Sequence, residues 1–180
     1  TNGNTVSNLS STRALADVTA LYGSKYYAAA VGEVNVVEKM KAVGAVIGGE
    51  GNGGVIYPAS HYGRDALVGI ALFLTLLAKK SMKVSELRKT YPEYFISKNK
   101  IELTPQIDVD KILNTIKNSY KQFEVNDIDG VKIDFPQGWV HLRKSNTEPI
   151  VHIYSEAPTE EQAVGFANAV IEEIKRIAGI

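Results

Sequence analysis

Five consecutive polar residues, Lys144 to Glu148, join two segments in which apolar and polar residues alternate. This alternation predicts two β-strands with a tight connection between them. Arg143 ends the first strand, and the connection adds an ammonium group, two hydroxyls and an amide. A guanidinium offers a planar fork to phosphate oxygens, and short hydroxyls add donors that cost little to order. The segment suits phosphate binding, although a polar hairpin tip with one arginine is more often a solvated turn.

A second loop follows the short apolar segment Ala45 to Gly48 and combines many glycines with one carboxylate and one amide. Glycine occupies five of the seven positions from 48 to 54, which permits the close backbone approach that a loop over a ligand needs. Glu50 and Asn52 stand two residues apart and suit acceptance from, and donation to, neighbouring hydroxyls of a sugar. The loop lacks the Lys-Ser/Thr pair of a Walker A loop and the spacing of a dinucleotide fingerprint.

Together the two loops resemble those of one enzyme family. Gly49 to Gly53 resembles the sugar-selecting loop of the α-D-phosphohexomutases, usually Gly-Glu-x-Ser-Gly, and Arg143 to Pro149 resembles their C-terminal phosphate-binding loop. The resemblance covers essentially the whole chain, and the surrounding sequence is most similar to bacterial phosphoglucosamine mutases or closely related phosphoglucomutases and phosphomannomutases. Asn52 stands where the family usually has serine and Gly54 where it has histidine, so the choice of hexose stays open.

The resemblance implies a reaction, the interconversion of hexose 6-phosphate and hexose 1-phosphate through a bisphosphate intermediate, with a phosphoserine donor and Mg²⁺. Neither the phosphoserine loop nor the aspartate-rich magnesium loop of the family occurs in these 180 residues. We therefore expect the third and fourth domains of a longer enzyme, without the first helix of the third domain and inactive alone. The expected partners are a phosphosugar and the N-terminal catalytic half, which would hold the magnesium.

The resemblance also assigns roles to individual residues. It implies that the sugar is contacted by Glu33, Glu50, Gly51 and Asn52, and that the phosphate that does not react is held by Arg143, Ser145, Asn146 and Thr147. Two alternatives stay open: a stand-alone phosphosugar-binding module without catalysis, and an interaction domain without a ligand.

Composition limits the classes of partner. Twenty basic residues balance twenty acidic ones, so no overall field attracts nucleic acid or an anionic membrane, and neither is an expected partner. The longest apolar run, residues 66 to 78, is broken by Gly69 and Thr75 and is too short to cross a bilayer. The absence of cysteine excludes disulfides, a thiolate nucleophile and zinc–cysteine sites. A cytoplasmic location is expected.

The sequence predicts two domains of different fold class, which meet near the middle of the chain. Alternating strand and helix signals in residues 1–93 predict a layered α/β domain with a mostly parallel sheet and helices on both faces. Its loops with Glu33 and Glu50 should meet at the carboxyl edge of the sheet. Residues 64–80 predict a helix that is apolar around most of its circumference and therefore buried. A smaller α+β domain, residues 97–180, should carry an antiparallel sheet and two helices, and residues 94–103 should form a hinge or a domain boundary.

Two further patterns have simpler interpretations than catalysis or metal binding. Ser60 and His61 echo the Ser-His of the family's phosphoserine loop, but they follow the sugar loop directly and lack the Asn-Pro, so we do not predict a nucleophile here. Asp127 and Asp129 precede Gly130 and predict a turn between strands rather than a metal site.

Other polar residues near the two loops have open roles. Glu33 and Arg64 should lie near the predicted sugar cleft, where structural roles are commoner than ligand contacts. His141 shares a strand face with Trp139 and Arg143, opposite the face predicted for the core. It either borders the phosphate or is a surface histidine.

Overall fold

The computed structural model describes residues 2–104, 107–145, 148 and 150–180. The chain forms two compact units, Thr1–Glu93 (unit 1) and Tyr94–Ile180 (unit 2). Within the described ranges, no helix combines the length and the apolar character that crossing a membrane requires.

Unit 1 is built on a five-stranded sheet with the strand order β2-β1-β3-β4-β5. β1 pairs in parallel with β2 and β3, whereas β4 is antiparallel to both β3 and β5. The elements are β1 (Thr5–Asn8), α1 (Ala14–Leu21), β2 (Tyr26–Ala29), α2 (Glu33–Val43), β3 (Ile47–Gly49), β4 (Val55–Tyr57), β5 (His61–Arg64), α3 (Ala66–Lys80) and α4 (Val84–Arg88).

The sheet of unit 1 is mixed, so the prediction of a mostly parallel sheet is not confirmed. After β3 the glycine loop turns the chain directly into β4, because Glu50 N donates to the Gly54 carbonyl (3.0 Å) and Gly53 N to the Glu50 carbonyl (3.1 Å). A tight turn without a helix can join only antiparallel strands. β4 and β5 have three and four residues, too few to show the alternation by which a strand is recognised in sequence.

The core of unit 1 lies between the sheet and α2, which packs on β1, β2 and β3. Its buried members are Val6, Ala29, Val36, Met40, Ala45 and Ile56.

α3 is where burial departs most from the prediction. The helix packs on β4, yet none of its residues is buried. Leu67, Ile70 and Leu74 are 78%, 54% and 56% exposed. The prediction of a buried helix is therefore wrong for this chain, and α3 presents an apolar surface.

Unit 2 has an antiparallel five-stranded sheet of order β6-β10-β9-β8-β7 and two helices, which confirms the α+β prediction. Its core combines one sheet face with residues of both helices, including Ile112, Ile116, Val170 and Ile174. The elements are β6 (Phe95–Glu102), α5 (Val109–Ser119), β7 (Glu124–Asn126), β8 (Val131–Phe135), β9 (Gly138–Lys144), β10 (Ile150–Ala157) and α6 (Glu160–Ala178).

β6 occupies most of the segment 94–103, for which the sequence predicted a hinge or a domain boundary, and the two units divide just before this strand, between Glu93 and Tyr94. It pairs with β10 along its whole length, from Phe95 opposite Ala157 to Glu102 opposite Ile150. β6 is an edge strand, where charged side chains such as Lys98 and Lys100 are common because they discourage further strand pairing. The polar composition that suggested a hinge therefore belongs to a sheet edge.

Candidate functional site

Glu50 is the best-anchored side chain of the glycine loop. Its Oε1 accepts hydrogen bonds from Asn8 Nδ2 (3.0 Å) and from the backbone N–H of Gly32 (3.1 Å). Its Oε2 lies 3.6 Å from Arg64 Nη1, and the side chain is only 7% exposed. The protein therefore holds one carboxylate oxygen in place, while the other faces a guanidinium.

The anchoring of Glu50 follows from the parallel part of the sheet. Asn8 ends β1, Gly32 follows β2 and Glu50 follows β3, so the carboxyl ends of three parallel neighbours meet at one edge. The structure thus brings Glu50 beside the loop that contains Glu33, as the sequence predicts.

Asn8 is a site residue that the sequence analysis missed. Its Oδ1 accepts from Ser11 Oγ (2.8 Å) and Ser10 N (3.2 Å), which directs its amide group toward Glu50. The available signal was an amide side chain at the end of a short strand, Thr5–Asn8, that pairs with the strand leading to Glu50.

Arg64 links the two acidic residues of this edge. Its backbone N–H donates to Glu33 Oε1 (3.0 Å), and its Nε donates to Glu33 Oε2 (2.9 Å). The backbone hydrogen bond, followed by the guanidinium bond, lowers the pKa of Glu33, because both favour the charged carboxylate. Glu33 and Arg64 therefore do contact each other beside the glycine loop, and Arg64 extends to Glu50.

Asn52 is exposed at the tip of the loop, where its Oδ1 accepts from Gly54 N (3.1 Å). Its amide nitrogen can still donate to a ligand. Gly51 passes close to the chain before α1, since a Cβ on it would lie 3.2 Å from the Ser10 carbonyl oxygen. An open cleft of about 500 Å³ adjoins the loop and is lined by Glu33, Asn52, Gly53, Gly54, Arg64, Asp65 and Ala66.

The second predicted loop lies in unit 2, between β9 and β10. Arg143 is half-buried near the end of β9, and Lys144 Nζ donates to Asp110 Oδ2 on α5 (3.0 Å). Ser145 N donates to the Ile150 carbonyl (2.9 Å), and Ser145 Oγ accepts from Glu148 N (3.3 Å). The predicted phosphate ligands Asn146 and Thr147 lie outside the residues that the structure describes.

A cleft of about 300 Å³ opens beside Arg143, between α5 and the turn that precedes β8. This turn, residues 127–130, joins β7 to β8 as predicted, with Gly130 at φ 78°. Asp127 pairs with Lys117 of α5. The described ranges hold no group of three His, Cys, Asp or Glu side chains that could bind a metal ion.

His141 is buried, with 2% exposure, so the surface alternative is wrong. Its Nε2 lies 2.7 Å from the carbonyl oxygen of Asp129. Burial lowers the pKa of His141, and the hydrogen bond to Asp129 opposes this only in part. Trp139 on the same strand face is also buried, and its Nε1 donates to Glu156 Oε1 (2.8 Å). The face opposite the main core is therefore covered at these positions.

Ser60 and His61 lie between β4 and β5 and at the start of β5. Both are exposed, and His61 Nε2 pairs with Asp65 Oδ2 (3.0 Å). Asp65 in turn caps α3 by accepting from Val68 N (3.0 Å). The described structure thus engages His61 with a helix cap, and that Ser60 is no nucleophile stays a prediction.

Two domain models of one protein family match this chain. Residues 1–94 match the phosphoglucomutase/phosphomannomutase alpha/beta/alpha domain III, and residues 81–173 match the C-terminal domain of the same family. A phosphoglucosamine/phosphogalactosamine mutase from Sulfurisphaera tokodaii is 38% identical over 82% of this chain and 32% of its own length. A phosphoglucomutase/phosphomannomutase from Thermococcus kodakarensis is 36% identical over 88% of this chain and 35% of its own.

Solved structures show the same fold. A phosphoglucomutase/phosphomannomutase family protein from Burkholderia thailandensis has a TM-score of 0.77 at 24% identity, covering 96% of this chain and 37% of that one. An N-acetylphosphoglucosamine mutase from Aspergillus fumigatus, in complex with GlcNAc-6P and magnesium, has a TM-score of 0.68 at 15% identity, covering 98% and 39%. The chain spans about a third of the length of the curated relatives that it matches. It belongs to the phosphoglucomutase/phosphomannomutase family, of which it carries domain III and the C-terminal domain.

Proposed function

We propose that this chain is the substrate-recognising C-terminal part of a phosphohexomutase, which interconverts hexose 6-phosphate and hexose 1-phosphate through a bisphosphate intermediate. The observation that carries the proposal is the anchored carboxylate of Glu50 at the carboxyl edge of the unit 1 sheet. Family membership supports the reaction class.

Recognition of the sugar falls to the glycine loop and its neighbours. Glu50 already has fixed protein partners, so its Oε2 can accept from a sugar hydroxyl with little further loss of conformational freedom. Asn52 donates from its amide nitrogen, and Glu33 presents a carboxylate at the cleft. Gly51 allows the loop to lie close to Ser10, because it has no side chain, and its backbone is a further candidate contact to the sugar.

Recognition of the phosphate that does not react falls to the β9–β10 loop. Arg143 supplies the guanidinium fork, and Ser145, Asn146 and Thr147 supply short donors. Binding energy at this remote phosphate positions the reacting phosphate, and the same contacts serve the intermediate after it has turned around.

The phosphoserine and magnesium belong to the N-terminal half in this proposal. The described residues do not fit a magnesium site, since Asp127 is paired with Lys117 and no cluster of three metal-ligating side chains is present among them. This chain therefore binds and orients the substrate, and its N-terminal partner transfers the phosphoryl group.

Substitution of Arg143 tests the proposal in the full-length enzyme. We expect Arg143→Ala to raise the KM for a hexose phosphate at least about tenfold, since a charge-assisted hydrogen bond to phosphate is lost. The phosphoserine content should stay unchanged, as measured by mass spectrometry. Arg176→Ala is the matched control, because that arginine lies on α6 with a side chain 76% exposed. An unchanged KM for Arg143→Ala would remove the assigned phosphate site.

A further inference from the structure

The side chain of Arg64 packs against the glycine loop at Gly54. A Cβ atom on Gly54 would fall 2.5 Å from Arg64 Cδ and 3.0 Å from Arg64 Cγ, whereas carbon atoms in contact normally lie about 3.5 to 4 Å apart. The stem of Arg64 therefore occupies the space that a side chain at position 54 would need.

The backbone around Arg64 fixes its place. Arg64 is the last residue of β5 and pairs with Ile56, where the register between β4 and β5 shifts. Its N–H is held by Glu33, and the next N–H, that of Asp65, donates to the Val55 carbonyl (2.8 Å). The position of the stem over Gly54 thus follows from the sheet and not from the side-chain rotamer alone.

The guanidinium of Arg64 contacts both the buried carboxylate of Glu50 and the partly exposed carboxylate of Glu33. Nε contacts Glu33 Oε2 at 2.9 Å, and Nη1 lies 3.6 Å from Glu50 Oε2. A guanidinium has five N–H donors, and the Arg64 side chain is 47% exposed at the cleft. The same group can therefore hold both carboxylates and donate to an oxygen of a bound ligand.

We propose that Arg64 is a positioning and specificity-determining residue of the sugar site: it contacts the carboxylates of Glu33 and Glu50 at the edge of the cleft and fills the space over Gly54. This inference rests on the proposed function and extends it to one residue pair, Gly54 and Arg64. The ligand that the pair selects is a hydroxyl-rich ring, whose oxygens accept hydrogen bonds from the guanidinium.

A double-mutant cycle in the full-length enzyme tests the pair. Gly54→Ala displaces the Arg64 stem, and Arg64→Ala removes it, so each change should raise the KM for hexose phosphates about tenfold. We expect Arg64 to contact the substrate equally in the ground state and in the transition state, so kcat should stay within about twofold. The double variant should raise KM no further than Arg64→Ala alone, since both changes remove the same contact. Glucose 6-phosphate, mannose 6-phosphate and glucosamine 6-phosphate are the probes.

Two further variants test whether Arg64 positions the substrate or only stabilises the fold. Arg64→Lys keeps the charge but not the fork, so its KM should lie between those of the original enzyme and Arg64→Ala. Arg88→Ala on α4 is the matched control, because that arginine is exposed and does not line the cleft. Thermal midpoints of all variants show whether each one folds. If Gly54→Ala does not fold, the order of KM among the original enzyme, the Arg64→Lys variant and the Arg64→Ala variant decides.

The outcomes distinguish this inference from the proposed function. An unchanged KM for Arg64→Ala, a fall in kcat alone, or KM effects of the two single variants that multiply in the double variant would overturn the role of Arg64. If Arg143→Ala still raises KM in that case, the proposed function stands without this inference. If Arg143→Ala and Arg64→Ala both leave KM unchanged, the proposed function fails as well.

Discussion

At the scale of the residue, this protein holds its acidic side chains through donors that come from strand ends and loops far apart in sequence. Glu50 receives hydrogen bonds from Asn8 and Gly32 and faces Arg64. These donors lie 42, 18 and 14 residues away in sequence. A carboxylate bound in this way is oriented before any ligand arrives, which reduces the entropy cost of binding.

Glu50→Gln tests this preorganisation. Glutamine keeps one oxygen acceptor but loses the charge that faces Arg64, so we expect the free energy of unfolding to fall by about 1 to 3 kcal/mol. The KM of the full-length enzyme for hexose phosphates should rise as well. Urea unfolding and steady-state kinetics measure the two effects. Glu38→Gln on the exposed side of α2 is the matched control, and an equal loss of stability there would contradict the assigned role.

His141 predicts a pH dependence of stability. Its pKa is lowered in the folded protein by burial, so below about pH 6.5 the unfolded chain binds a proton that the folded chain does not. The contribution of neutral His141 to the free energy of unfolding should therefore be fully present above about pH 6.5. It should be lost as the pH falls from there toward the lowered pKa. The charged neighbours Asp129, Lys132 and Arg143 oppose one another in this shift, and burial outweighs them.

The measurement compares urea unfolding of the original chain and of His141→Gln between about pH 7.5 and about pH 5. Glutamine can still donate to the Asp129 carbonyl but cannot take up a proton, so the variant should lose less stability over this range. An equal loss of stability in the two proteins over this pH range would contradict the assignment of His141 as a buried, neutral histidine.

At the scale of the element, α3 is an apolar helix without buried residues. Ile70 and Leu74 are one helical turn apart and more than half exposed. Exposed apolar surface of this extent favours association, so we expect the isolated chain to self-associate at high concentration.

Ile70→Lys together with Leu74→Lys should shift the chain toward the monomer in sedimentation equilibrium without reducing its helical circular dichroism. Val164→Lys on α6 is the matched control, since Val164 is 40% exposed and lies on a helix whose other face is packed in the core of unit 2. A monomer at every concentration, before any substitution, would contradict the prediction.

At the scale of the whole molecule, two units carry separate cores. Each core is closed by its own sheet and helices, so each unit should unfold as its own cooperative transition. Met40→Ala should lower only the transition of unit 1, and Ile133→Ala only that of unit 2, because both side chains are fully buried. Such truncations cost about 2 to 5 kcal/mol. Differential scanning calorimetry tests this, and a single transition shifted by both variants would contradict it.

A large part of the fold could be predicted from the local spacing of apolar and polar residues. Apolar residues at helical spacing in α5 and α6, and alternation in β8, β9 and β10, are local consequences of which face joins the main core. The strand–turn–strand pattern around residue 145 and the strand that leads to Glu50 were likewise visible, because each depends on only a few neighbouring residues.

By itself, the sequence determined the family resemblance, the two loops with candidate ligand-binding residues, the antiparallel unit 2 and the elements with strong periodicity. Tertiary structure alone decided that β4 and β5 turn the sheet of unit 1 from parallel to mixed, and that β6 is a strand, because pairing partners of short or polar segments lie elsewhere in the chain. It also decided that Asn8, Gly32 and Arg64 converge on Glu50 and that His141 is buried. The burial of His141 and the contacts around Glu50 depend on residues that are distant in sequence, so a local sequence pattern cannot predict them.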